Sequence, residues 1–81
     1  MDNEEVVRLL RAGDWEGAHG IVQDDESTLA AWAHGIVHML EGDMANAGYW
    51  FKRAGRTVPA TADAAAAEIE ALASEVGLPS A

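Results

Sequence analysis

The sequence predicts an all-α protein of about five helices: two antiparallel helical hairpins followed by a capping helix. Three observations carry that expectation. Alanine is the largest part of the hydrophobic fraction, 49%, and β-branched residues are few, a balance that favours helix. Asp and Gly punctuate the chain at helix-length intervals. No segment reads as a strand.

The elements follow in order. Asp2 or Asn3 caps a first helix, EEVVRLLRA, and Gly13 ends it. Asp14 then caps WEGAHGIVQ. The acidic turn Asp24-Asp25-Glu26, with Ser27 and Thr28 behind it, opens a third helix that runs through Leu40 to Gly42, its acids suiting the helix dipole. Asp43 caps MANAGYWFKRA, which stops at Gly55. Thr57-Val58-Pro59 is a loop, because proline cannot continue a helix and restricts the residue before it. Thr61 opens an Ala-rich last helix closed by Gly77 and Pro79. Residues 1–25 thus form a first hairpin, 26–56 a second and 61–77 a cap, within one domain spanning 1–81.

Fourteen acids against five bases give a net charge of −9, a field that repels phosphate backbones and anionic lipid. Nucleic acid and membrane are therefore not expected as partners. No apolar run approaches the roughly 18 residues of a membrane span, and the acidic N-terminus is unlike a signal peptide, so a cytoplasmic location is expected. With no cysteine, a metal site must be built from His and carboxylate ligands.

The chain echoes itself. GDWEGAHGIV from Gly13 and GDMANAGYWF from Gly42 place Val7 on Ile36, Leu10 on Met39, Trp15 on Met44, Ala18 on Ala47 and Val22 on Phe51. Gly35, Gly42-Asp43-Met44, Ala47, Phe51, Ala54 and Pro59 fall in the order of the tetratricopeptide-repeat motif, and residues 28–59 resemble one such repeat. Met44 stands where that family has an aromatic residue, and residues 1–25 match more weakly, in a hairpin shorter than the period of about 34 residues requires. The strings DWEGAH and EGDMANAGYWFKRAG also resemble a group of small uncharacterised bacterial helical proteins, which brings no function with it. The tetratricopeptide resemblance implies a helical-hairpin fold and a protein-interaction module whose concave surface takes a peptide or partner.

Two faces of the third helix stand out. At about 100° per residue, His34, His38 and Glu41 share one narrow face flanked by Ala30, Ala31 and Gly35. His19 lies on the second helix, which a short turn makes antiparallel to the third and brings to the level of Ala31 to His34. His19, His34, His38 and Glu41 are thus candidate ligands for one divalent ion such as zinc. The plainer alternative is half-buried histidines bonded to a carboxylate or a carbonyl. The other face carries Leu29, Trp32, Ile36, Met39 and Leu40, which the tetratricopeptide register aims at the concave surface. Either the C-terminal helix covers them with Ile69, Leu72 and Val76, or a partner does, a homodimer being the first choice.

On the fourth helix Asn46, Tyr49, Lys52, Arg53 and Arg56 form a candidate patch for a small anion or acidic peptide, or simply complement the helix dipole. No nucleophile, oxyanion site or Gly-rich phosphate loop is present, so no catalytic residue and no organic cofactor is expected. The leading expectation is an interaction module that self-associates or binds a protein partner. A His/Glu metal-binding protein is the alternative.

Overall fold

The computed structural model describes residues 1–81 and is all-helical. Helix α1 spans Asn3–Arg11, α2 Trp15–Val22, α3 Thr28–Glu41 and α4 Met44–Arg53; a 3₁₀ turn at Ala62–Ala64 leads into α5, Ala65–Glu75. Four N-caps do the work their sequence positions suggest. Asp2, Asp14, Ser27 and Asp43 accept the backbone N–H groups of Glu5, Gly17, Ala30 and Asn46 at 3.0–3.1 Å. Each such cap stabilises its helix by about 1 kcal/mol.

The last helix begins later than the sequence suggests. Thr61 is extended and makes no side-chain cap, so the chain enters through the 3₁₀ turn and α5 starts uncapped at Ala65. Between α3 and α4 the reversal depends on Gly42, whose φ of 88° is left-handed backbone that a side chain would strain. That conformation lets the Asp43 N–H reach back to the His38 carbonyl at 2.9 Å while its carboxylate caps α4.

Helix α3 is the axis of the fold, buried without a break from Ala30 to Met39. Helices α2 and α4 pack against it, as do α1 and α5. A Cβ at Gly35 would lie 2.7 Å from Cε1 of Phe51, so glycine there admits the Phe51 ring against the helix backbone. This is the close approach that offsets the ~1 kcal/mol a mid-helix glycine costs.

The apolar face of α3 is covered by the chain's own helices. Trp32, Ile36 and Met39 are 3%, 0% and 1% exposed, in one cluster with Val6, Val7, Leu10, Ile69 and Leu72. Leu29 and Leu40 are half-buried against the same cluster. The five residues expected as a partner-binding face are therefore core and core margin. The reason is economy of burial: a chain this short leaves only about 60% of its surface to bury, and α5 supplies the apolar complement. Polar groups fasten that cover. The Trp32 indole N–H donates to Glu68 Oε1 on α5 at 3.0 Å, with the Arg56 guanidinium 3.6 Å from the Trp32 ring centre. Arg11 on α1 makes a two-pronged pair with Glu70 at 2.8 and 3.0 Å and donates to the Pro79 carbonyl at 2.7 Å. No helix is long and apolar enough to cross a membrane.

Candidate metal centre

The other side of α3 faces α2 and α4 and carries His34 and His38, with His19 on α2. His34 and His38 lie one helical turn apart on α3, so their rings stand one above the other, 5.0 Å between centres and 26° apart in plane. The antiparallel α2 brings His19 to them, its ring centre 4.8 Å from that of His34 and 5.9 Å from that of His38. One ring nitrogen from each falls within 4.8 Å of the other two. His34 and His38 are buried, 5% and 8% exposed, and half-buried His19 marks the side that solvent reaches.

The two buried rings have different surroundings. His38 Nδ1 lies 2.8 Å from Glu41 Oε1. An ionised carboxylate only accepts, so Nδ1 of His38 carries a proton, and in the neutral ring that leaves the lone pair on Nε2. His34 Nδ1 is buried with no hydrogen-bond partner at all. Burial, and then the neighbouring His38, His19 and Arg53 charges, push the His34 imidazole down to about 4, so it is neutral near pH 7. Its ring stacks on Trp50 of α4 at 3.8 Å and 10°, and Arg53 sits 5.0 Å from the Trp50 ring centre. Burial and the neighbouring positive groups outweigh what the Trp50 face offers an imidazolium at His34.

The candidate ligands named from sequence thus divide. His19, His34 and His38 converge. Glu41 does not join that set: it groups with His38 and Asp43, from the outer side of the His38 ring. The i, i+3 spacing that put Glu41 on the His face also lets it reach Nδ1 of His38, and it is that atom it engages.

The members of the basic patch have separate partners. Asn46 is committed to the α4 cap, its Nδ2 donating to Asp43 Oδ2 at 3.0 Å. Arg56 lies over Trp32, whereas Arg53 lies by Trp50 and donates weakly to the Tyr49 hydroxyl at 3.4 Å. Lys52 is exposed. Two separate aromatic partners pull the arginines apart.

Trp50 and Asp43 are the residues at this site that sequence reasoning passed over. Trp50 was legible in principle, since it lies four residues after Asn46 and three before Arg53, but the adjacent Tyr49 fits the same stripe almost as well. Compared with known protein families, with curated proteins and with solved structures, the chain matches none. The function therefore rests on the site's own geometry.

Proposed function

We propose that this chain is a small helical protein that binds one divalent transition-metal ion through His19, His34 and His38. A single observation carries this: three imidazoles from two helices converge with the spacing of metal ligands. An ion about 2.0–2.1 Å from a ring nitrogen lies about 3.2 Å from that ring's centre, so three tetrahedral ligands have centres about 5.2 Å apart. The observed centre separations, 4.8, 5.0 and 5.9 Å, bracket that value. The orphaned His34 Nδ1 supports the same conclusion, because an unpaired buried polar atom costs about 1–3 kcal/mol and a metal would relieve it. Three imidazoles without thiolates suit zinc, copper or nickel rather than magnesium or calcium.

Equilibrium dialysis against Zn²⁺, with metal counted per chain, tests the proposal. One ion per chain, lost in His34→Ala and in His38→Ala, is the expected result. Equal metal content in the wild type and both variants would overturn it.

Tyr49 favours a second function, docking of a protein partner, which is also what the tetratricopeptide resemblance implies. It is the one large hydrophobic residue left exposed, at 55%, with Lys52 and Arg53 beside it on α4. A partner, or a second copy in a homodimer, would meet this outer face of α4 rather than the covered Leu29/Trp32/Ile36 side. Light scattering across a concentration series checks self-association. A mass above 8.6 kDa that Tyr49→Ala returns to the monomer value supports it; a monomer at every concentration removes the homodimer.

A further inference from the structure

The two carboxylates that group with His38 are already engaged. Glu41 Oε1 is held by His38 Nδ1 at 2.8 Å. Asp43 takes the Asn46 backbone N–H on one oxygen and the Asn46 amide on the other, at 3.1 and 3.0 Å. Neither belongs to the set formed by His19 and His34. The Arg53 guanidinium lies 5.0 Å from the centre of the Trp50 ring on which His34 stacks.

Charge then decides what completes the site. Three neutral imidazoles leave the full double charge of a divalent ion uncompensated within a buried seam, where charge is costly. A four-coordinate ion bound by three protein nitrogens keeps one position open. Arg53 adds positive potential, so the open position favours an anion over a neutral ligand. Half-buried His19 gives solution access to that side.

We infer that the chain supplies three imidazoles and no carboxylate, that a small anion from solution (hydroxide, or a monodentate anion such as azide) takes the fourth position, and that Glu41 is a positioning residue acting through His38. This rests on the metal proposal above. Glu41 fixes which His38 nitrogen is bare and holds the ring by its outer edge, the role carboxylates play behind metal-bound histidines. The exchangeable ligand belongs to one class: small, singly bonded and anionic.

Co²⁺ reports both parts, because its visible absorption depends on coordination number and donor type. The full-length chain is loaded with Co²⁺ and titrated with azide, alongside Glu41→Gln, Glu41→Ala and His34→Ala. The inference predicts the intense visible bands of four-coordinate Co²⁺ and a saturable spectral change with azide. Both persist in Glu41→Gln, whose amide oxygen still accepts from Nδ1. Glu41→Ala keeps the band shape while Co²⁺ affinity falls about 10- to 100-fold. A spectrum insensitive to azide would remove the exchangeable anion, and one reshaped in both Glu41 variants would make Glu41 a ligand; either overturns the inference while leaving the metal proposal standing. No visible bands with any variant would remove the metal proposal, and this inference with it.

Discussion

The two sides of α3 are equally buried and differ in how their polar groups are satisfied. Toward α1 and α5, Trp32, Ile36 and Met39 meet apolar side chains, and the one polar atom there, the Trp32 indole N–H, is paired with Glu68. Toward α2 and α4 the same helix presents His34 and His38, and His34 Nδ1 has no partner. Burial alone would call both sides core. The difference lies in the hydrogen-bond accounting, because a buried polar atom left unpaired lowers stability unless something absent from the chain completes it. The first side holds the fold, and the second is the side to which we assign the proposed ion.

Four experiments would break or sharpen that contrast. The largest effect is expected where the apolar packing is tightest: Phe51→Ala removes a fully buried ring and should cost about 3–5 kcal/mol in denaturant unfolding, with or without metal. Next is metal itself. Zn²⁺ at 100 times its dissociation constant should stabilise the wild type by about 2.7 kcal/mol and His34→Ala not at all, read as a difference in Tm. A smaller loss, about 1–3 kcal/mol, is expected for Gly35→Ala, whose methyl group would press on the Phe51 ring. If Gly35→Ala were neutral, the close approach of α3 and α4 would be looser than described.

The smallest effects concern His34 in the metal-free protein. Its imidazole titrates at about 4 when folded against an ordinary 6.5 when unfolded, so between those values the unfolded chain binds more protons. Stability is then fully present above pH 6.5 and declines as pH falls toward 4. His19 on α2, His38 on α3 and Arg53 on α4 all face this group and all oppose its protonation. A lower window is separate. Glu70, held at about 2 chiefly by its hydrogen-bonded pairing with Arg11, contributes stability above pH 4.5 that is lost as pH falls toward 2. His34→Leu should flatten the upper window and spare the lower one without lowering stability at pH 7, because it removes a buried polar atom that has no partner. A steep decline between pH 6.5 and 4 that survives His34→Leu would contradict the account.

The fold was largely legible because its signals are local. Asp14, Ser27 and Asp43 sit one residue before their helices, and Gly13 and Gly42 adopt positive φ at helix ends. The start of α5 was not, because Thr61 has the composition and extended backbone of a cap without its side-chain hydrogen bond. For the site, helical spacing placed His34, His38 and Glu41 on one face, and the short turn after α2 brought in His19. What spacing could not say is which atom each side chain engages. Glu41 is three residues from His38, equally suited to a shared ion or to Nδ1, and only the distance decides. The apolar face of α3 was ambiguous for a different reason. Whether Leu29, Trp32, Ile36, Met39 and Leu40 await a partner depends on where α5 docks, and that follows from long-range packing of Ile69 and Leu72 into the core, with Arg11 and Glu70 paired at its margin.

X-ray absorption at the zinc edge tests the central claim most directly, by counting the imidazoles around the ion. The account predicts four light donors at about 2.0–2.1 Å, three of them showing the outer-shell scattering of imidazole rings, with one imidazole fewer in His19→Ala. A zinc environment of oxygen donors with no imidazole signature would contradict it.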